Sequence, residues 1–189
     1  MASLKLKKAC AGFALLSALI LLATLPANAG QIAPTQPRSL AFELAQIPSS
    51  ALPNLSSNSN EKISLKQLQG YVVYVDFWAS WCGPCRQSFP FMNQMQQKYH
   101  EVGLRIVAIN LDQDFKDAQS FLKKNPAQFL LAMDPEGRTP AQYEVKGMPS
   151  SYLIGRDGQL ISIHVGFKLE DRSDIESQIR VALGLAAQK

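Results

Sequence analysis

The pattern of apolar and polar residues between positions 40 and 185 changes repeatedly from strand-like to helix-like. The segment 71–78 is a run of β-branched and aromatic residues around Asp76 with the length and composition of a strand buried on both faces of a sheet, and 104–111 is predicted to be a second buried strand. Apolar residues at helical spacing predict helices over 84–100, 114–124 and 171–183. Strands that alternate with helices favour parallel βαβ units, so we expect an α/β fold.

Shorter segments complete the predicted sheet. Partial alternation over 40–47 predicts an edge strand, and 63–68 predicts a short helical turn that leads into Gly70. The remaining predicted elements are a strand at 129–133, a helix at 139–143 and a hairpin of strands 151–154 and 160–165. The hairpin adds antiparallel strands, so the expected architecture is a mixed central sheet with helices on both faces.

The first 29 residues have a different character. Three lysines lie among the first eight residues, an uncharged apolar run follows from 9 to 25, and the small-residue stretch Ala27-Asn28-Ala29 comes next. This order predicts a secretory signal peptide over 1–29, cleaved before Gly30. An uncleaved membrane anchor is the alternative, because 17 uncharged residues are at the short end of what crosses a bilayer. Residues 30–39, rich in Gln and Pro, predict a flexible linker.

Cleavage changes what the composition implies. The 189-residue chain has a formal net charge of +4, and loss of residues 1–29 removes three lysines and no acid, which leaves about +1. This balance gives no support for nucleic-acid binding. Cleavage also removes Cys10, so Cys82 and Cys85 are the cysteines of the mature chain. We expect an exported protein in the periplasm or an equivalent extracytoplasmic space, where neighbouring thiols form disulfides.

The two remaining cysteines form a Cys-x-x-Cys motif, Trp81-Cys82-Gly83-Pro84-Cys85, between the predicted strand 71–78 and the predicted helix 84–100. At this place, unpaired backbone N–H groups and the helix dipole stabilise a thiolate on the first sulfur. We therefore expect Cys82 to be the nucleophile. Cys85 lies one turn further along, near enough to attack the mixed disulfide that Cys82 forms, and is the expected resolving thiol.

Two other interpretations of the motif stay open at this point. A zinc site would need two further ligands, and the candidates His100 and His164 do not form a ligand pair, so we predict no metal. A permanent structural disulfide is the second alternative. Closing a four-residue loop constrains little of the unfolded chain, so such a bond would contribute modest stability.

The segment 75–85, Val-Asp-Phe-Trp-Ala-Ser-Trp-Cys-Gly-Pro-Cys, resembles the active-site segment of the thioredoxin superfamily, and Gly147-Met148-Pro149 resembles its cis-proline loop. The lead-in at 65–70 and the extra strand and helix between 111 and 147 resemble the TlpA/ResA type. Members of this type are exported or membrane-tethered thiol:disulfide reductases. The resemblance implies a thioredoxin-like α/β domain over residues 40–189.

The resemblance also implies roles for individual residues. Asp76 would be a buried proton acceptor for Cys85, and burial is expected to raise its pKa. A structural carboxylate bonded to backbone donors or to a distant Lys is the alternative. Pro149 would be a cis-proline opposite the two sulfurs, with an ordinary loop proline as its alternative. The implied substrate-docking residues are Trp81, Gly83, Pro84, Met148 and Pro149.

Two positions depart from related patterns. Cytoplasmic thioredoxins place a Lys near the buried acid where this sequence has Ala108, which argues against a Lys-assisted proton relay. Exported thioredoxins dedicated to cytochrome c maturation often carry a Glu where this sequence has Ser150, which argues against that pathway without excluding it.

The expected function is a thiol:disulfide oxidoreductase that reduces disulfides of exported proteins and needs no cofactor. An upstream membrane or envelope electron donor would recharge the cysteine pair, and membrane contact is expected only if the N-terminal segment is uncleaved. The alternatives are a disulfide-forming oxidase, a cytochrome c maturation or assembly module that binds extended peptides, and a peroxidase on the same fold.

Overall fold

A computed structural model describes residues 40–47 and 62–185. The predicted signal peptide (1–29) with Cys10 and the predicted linker (30–39) lie outside the described residues, and their boundaries stay predictions. In the part of the chain that is described, no helix combines the length and the apolar composition needed to cross a bilayer.

Seven strands and four α-helices make up the described residues, together with 3₁₀ helices at Leu65–Leu68 and Leu169–Asp171. The strands are β1 (Glu43–Gln46), β2 (Lys62–Ser64), β3 (Val72–Trp78), β4 (Leu104–Asn110), β5 (Leu130–Met133), β6 (Ser150–Ile154) and β7 (Leu160–Val165). The α-helices are α1 (Cys85–Tyr99), α2 (Phe115–Lys124), α3 (Arg138–Gln142) and α4 (Arg172–Ala182).

The strands form one mixed sheet in the order β2-β1-β5-β4-β3-β6-β7. Strands β3, β4 and β5 are parallel, as the alternation of strands and helices predicts. Strand β6 pairs antiparallel with β3 and forms the predicted hairpin with β7. The predicted α/β class with a mixed sheet is confirmed.

The N-terminal end of the sheet differs from the prediction. Strand β1 is not at the edge, because it pairs antiparallel with both β2 and β5. The helical turn predicted over 63–68 is confined to Leu65–Leu68, and Ile63 belongs to β2, paired with Leu44. Three residues are too few for alternation to reveal a strand. Ser64 ends β2 and caps the following turn in a capping box with Gln67.

Strand β3 is buried on both faces along its whole length, as its continuous apolar sequence predicts. Val72, Tyr74 and Trp78 contribute to the core shared with α1, α2 and α4. The alternate residues Val73, Val75 and Phe77 contribute to a second core. That core also contains Tyr143 at the end of α3, so helical segments cover both faces of the sheet.

An aromatic cluster joins the end of β3 to α1. The ring of Phe89 on α1 lies 5.0 Å from those of Trp78 and Phe121 and 5.3 Å from that of Phe129, measured between centroids. Phe89 is completely buried. Edge-to-face contacts of this kind add to the free energy gained by burial. The cluster therefore sets the position of α1, which carries Cys85, relative to β3.

Replacing Phe89 by Ala should lower the free energy of unfolding by about 3–5 kcal/mol, because it removes a buried ring and leaves a cavity. Val181→Ala on α4 is the matched control, since this side chain is 63% exposed. Urea denaturation followed by circular dichroism measures both. A loss of under about 1 kcal/mol for Phe89→Ala would contradict the role given to this cluster.

Candidate active site

The cysteine pair lies in the turn between β3 and α1. Strand β3 ends at Trp78, and the backbone N–H of Cys82 donates to the carbonyl oxygen of Ala79. Cys82 and Cys85 are joined by a disulfide, with their Cα atoms 5.4 Å apart. The predicted pair is therefore brought together at the start of α1, with the second cysteine as the first helical residue.

The N-terminus of α1 has no side-chain cap, because Pro84 occupies the capping position. The backbone N–H of Cys85 instead points at Sγ of Cys82, 3.2 Å away. A donor at the positive end of a helix stabilises negative charge on a sulfur once the disulfide is reduced. The structure thus provides the thiolate-stabilising environment that the sequence predicts for Cys82.

The two sulfurs differ in access. Cys82 is 4% exposed and lines an open groove of about 570 Å³, whereas Cys85 is completely buried and does not line the groove. Trp81, which is 69% exposed, stands beside the groove. The groove therefore leads to Cys82 and not to Cys85. The groove is lined by Trp81, Cys82, Gly83, Pro84, Leu111, Pro140, Ala141, Val145, Lys146, Gly147 and Met148.

The loop opposite the cysteines contains the predicted cis-proline. The Met148–Pro149 peptide bond is cis, which confirms that prediction. The hydroxyl of Ser150 donates to the carbonyl oxygen of Gly147 at 2.7 Å, and the N–H of Gly166 donates to that of Pro149 at 2.7 Å. These two hydrogen bonds tie the loop of residues 147–149 to the first residue of β6 and to Gly166, which follows β7.

Asp76 lies in the middle of β3 and is completely buried. It shares a strand face with Tyr74 and Trp78, the face covered by α1. Its Oδ1 accepts a 2.7 Å hydrogen bond from the hydroxyl of Ser151, and its Oδ2 has no hydrogen-bond partner among the described residues. Burial raises the pKa of Asp76 to about 7, and the Ser151 bond opposes that rise.

This environment differs from a carboxylate bonded to backbone donors or to a distant Lys, which is the alternative given above for Asp76. The carboxyl is bonded to a side-chain hydroxyl, and within the described residues it forms no ion pair with a Lys. Its register partner on β4 is Ala108, as the sequence comparison with cytoplasmic thioredoxins suggests. A buried carboxyl whose pKa is raised to about 7, on the strand face that α1 covers, is suited to exchanging a proton.

A polar network that the sequence did not reveal supports the turn before Cys82. The Asp112 carboxylate accepts hydrogen bonds from the Ser80 N–H at 2.9 Å and from the Ser80 hydroxyl at 2.9 Å. It also accepts one at 2.8 Å from the amide of Asn110, whose oxygen accepts in return from the Asp112 N–H. Asn110 and Asp112 are buried. The end of β4 therefore holds the turn that carries the cysteines.

The predicted site residues gather as a group. Five of them line the groove, namely Trp81, Cys82, Gly83, Pro84 and Met148. Pro149 follows Met148 in the cis bond, while Cys85 and Asp76 lie in the core below. Sequence reasoning missed Ser151, Asn110 and Asp112, although polar residues at the ends of apolar strands were a usable signal. It also missed the groove-lining residues contributed by other elements: Leu111, Pro140, Ala141, Val145 and Lys146.

The described residues contain no cluster of three or more His, Cys, Asp or Glu side chains able to hold a metal ion. The two histidines considered as zinc ligands pair with carboxylates instead: His100 with Glu101, and His164 with Asp171 at 3.3 Å. The sulfurs of the cysteine pair are bonded to each other.

Comparison with known proteins agrees with this geometry. The family model for redoxins matches residues 45–179. The chain belongs to the redoxin family. This redoxin is also similar to a crystal structure of a candidate thiol:disulfide interchange protein DsbE from Chlorobium tepidum, with 48% identity and a TM-score of 0.70. The similarity covers 78% of this chain and 96% of the other, which confirms the predicted thioredoxin-like fold.

Curated relatives are of the predicted type. The thiol-disulfide oxidoreductase ResA of Bacillus cereus is 33% identical over 112 residues, which cover 59% of this chain and 65% of ResA. The thioredoxin-like protein YneN of Bacillus subtilis is 33% identical over 130 residues, which cover 65% of this chain and 75% of YneN. The match to ResA thus spans slightly less than two thirds of that relative's length.

Asp112→Asn should loosen the turn of this redoxin before Cys82. One amide oxygen cannot accept the bonds that the carboxylate accepts from Ser80 and Asn110, and the new NH₂ group faces donors. We expect the free energy of unfolding to fall by about 1.5–3 kcal/mol, the range for bonds to a charged group. Asp174→Asn, at an exposed site in the first turn of α4, is the control. Equal denaturation midpoints for the two variants would rule out this supporting role.

Stability of the oxidised redoxin should fall as the pH rises from about 4 to 7. Folded Asp76 keeps its proton up to a pKa of about 7, whereas the unfolded chain releases it near 3.8. The folded state therefore binds more protons in this window, so the free energy of unfolding decreases with pH.

Asp76→Asn carries no titrating group at this position and should lack this decrease, which we expect to amount to roughly 3–4 kcal/mol. Urea denaturation of both proteins across the window measures the difference. Parallel stability curves for wild type and Asp76→Asn would contradict the raised pKa.

Proposed function

We propose that this chain is a thiol:disulfide oxidoreductase that reduces disulfides in exported proteins. The observation that carries the proposal is the unequal access of the two sulfurs: Cys82 lines an open groove at the start of α1, and Cys85 is enclosed below it. Similarity to the thiol-disulfide oxidoreductase ResA and to the thiol:disulfide interchange protein DsbE supports the same reaction.

The proposed reaction begins with the reduced pair. The Cys82 thiolate attacks one sulfur of a substrate disulfide, the substrate S–S bond breaks, and a mixed disulfide with Cys82 forms while the other substrate sulfur leaves as a thiolate. Cys85 then attacks Sγ of Cys82 and releases the second substrate thiolate. The substrate gains two electrons, and the cysteine pair ends as the Cys82–Cys85 disulfide.

Asp76 is the proposed proton acceptor in the second step. Cys85 must lose its thiol proton to become a nucleophile. The carboxyl of Asp76 lies on the strand face covered by α1 and has one oxygen without a partner among the described residues. With its pKa near 7, this carboxyl is able both to accept that proton and to release it afterwards.

Substrate would dock along the groove beside Cys82. Trp81, Gly83 and Pro84 line it beside Cys82, and Gly147 and Met148 line it from the loop that precedes Pro149. We propose that an extended segment of the substrate pairs with the backbone of Met148 while its disulfide faces Cys82. The proposed partners are proteins that carry a disulfide in a flexible segment.

The proposed cellular setting follows from the N-terminal sequence. Residues 1–29 would direct export and be removed, 30–39 would be a linker, and 40–189 would act outside the cytoplasm. An electron donor in the membrane or envelope would return the disulfide to the reduced state. If the N-terminal segment stays uncleaved, it would also tether the domain to the membrane.

Trapping tests the reaction directly. Cys85→Ser should accumulate mixed disulfides through Cys82 because the resolving thiol is missing, whereas Cys82→Ser should capture almost none. Non-reducing electrophoresis of envelope proteins measures the difference, and mass spectrometry identifies the attached cysteines. Equal capture by both variants, or capture only by Cys82→Ser, would overturn the assignment of the nucleophile.

The direction of electron flow has its own measurement. Equilibration of the wild-type pair with glutathione buffers should give a potential near the thioredoxin end of the range from roughly −270 to −120 mV. A potential above about −150 mV would favour a disulfide-forming oxidase over the proposed reductase.

A further inference from the structure

A row of polar side chains crosses the sheet from Asp76 toward solvent. Asp76 on β3 is the register partner of Ser151 on β6, and Ser151 is the register partner of His164 on β7. Residues directly opposite each other on antiparallel strands project from the same face, with Cβ atoms about 4.5–5.5 Å apart. The three side chains therefore occupy neighbouring positions on three adjacent strands.

The contacts along this row connect a buried end to a partly exposed end. The Ser151 hydroxyl donates to Oδ1 of Asp76 at 2.7 Å, and Tyr74 lies on the same face of β3 as Asp76. At the other end, the His164 side chain is 32% exposed, and its Nε2 lies 3.3 Å from Oδ2 of Asp171. His164 thus reaches water, whereas Asp76 does not.

A small cavity of about 10 Å³ lies along the row, large enough for about one water molecule. Hydroxyl, amide and imidazole groups are available around it, so a water there would have hydrogen-bond partners. Ser151 and His164 both contribute to its wall. The complete lining is Tyr74, Ser151, Leu153, Ser162, His164, Ile175, Gln178 and Ile179.

We propose that Ser151 and His164 form the route by which protons move between the buried carboxyl of Asp76 and solvent. This inference rests on the proposed function, in which Asp76 exchanges a proton with Cys85 in each turnover. A side chain enclosed in the core needs such a route to reset. Both residues act through Asp76 and are positioning residues for its proton transfer.

The proton balance along the route is simple. After Asp76 has accepted the Cys85 proton, the Ser151 hydroxyl turns from Oδ1 toward the cavity, and the carboxyl proton passes to the Ser151 oxygen as the Ser151 hydroxyl proton passes outward. A water in the cavity carries it to His164, and the imidazole releases it to solvent. An imidazole can accept a proton at one ring nitrogen and donate one from the other. No electrons move in this step, and the Ser151 hydroxyl ends as the donor to the ionised carboxyl, as in the structure.

The charged and titratable groups around the route are few. Strand β3 contributes Tyr74 and Asp76, and the 3₁₀ helix Leu169–Asp171 contributes Asp171. Strand β4 places Ala108 beside Asp76, and the α4 residues on the cavity are uncharged. Burial raises the pKa of the Tyr74 hydroxyl, so it stays protonated and does not compete for the proton. His164 is therefore the partly exposed polar ring between Asp76 and water on this side of the described sheet.

Stopped-flow oxidation of the reduced protein by glutathione disulfide, followed by Trp fluorescence at minimal buffer concentration, tests the route at about pH 6. There Asp76 starts mostly protonated and must release its proton to solvent before it can accept the one from Cys85. His164→Ala should slow formation of the Cys82–Cys85 disulfide about tenfold, a smaller effect than the full loss of an acid–base group because water still reaches the site slowly. Added imidazole should restore the rate. Ser151→Ala should show the same loss without restoration, because the link to Asp76 is broken.

His100→Ala is the matched control, since this histidine is at the end of α1 and pairs with Glu101. Its rate should equal that of wild type with and without imidazole. His164→Gln keeps a polar side chain of similar size but cannot carry the proton, so it should lose as much rate as His164→Ala. It therefore separates loss of the proton route from any effect of the small Ala side chain on folding.

Three results would overturn the inference: a wild-type rate for His164→Ala, a wild-type rate for His164→Gln, or a His164→Ala loss that imidazole does not restore. A wild-type protein that fails to react with glutathione disulfide would overturn the proposed function, and this route with it. An active wild type beside an equally active His164→Ala would overturn the route alone.

Discussion

Burial of the Asp76 carboxyl inside β3 is the constraint around which the site is arranged. A carboxylate in the core is costly unless it is neutral or hydrogen-bonded. Here burial raises the pKa to about 7, and the single hydrogen bond found among the described residues comes from Ser151. With this pKa, the carboxyl of Asp76 is present in both its protonated and its ionised form near neutral pH.

The rest of the site follows from where β3 ends. Its two apolar faces anchor it between two cores, and its last residue, Trp78, packs on Phe89 of α1. The turn that follows is tied to Asp112, which fixes the place at which α1 begins. Because α1 lacks a side-chain cap, its first free N–H is directed at the Cys82 sulfur. Packing thus produces both an accessible sulfur and an enclosed one.

Local patterns in the sequence predicted the parts of the molecule that depend on local order. The continuous run of β3, the spacing of α1 and the Cys-x-x-Cys motif each lie within one segment, and all three are confirmed. Strand β2 and the Ser151 contact depend on register between segments far apart in the chain, which one sequence does not reveal. The catalytic and docking roles of the site residues stay predictions, although the structure brings those residues together.

The most direct test of the account is the titration of Asp76 itself. In the oxidised protein with ¹³C-labelled aspartate, the carboxyl resonance assigned by its loss in Asp76→Asn should titrate with a pKa of about 7. Such a value would establish a carboxyl able to exchange a proton with Cys85 at neutral pH. A pKa near 4, the ordinary range for a solvated aspartate, would contradict the central claim.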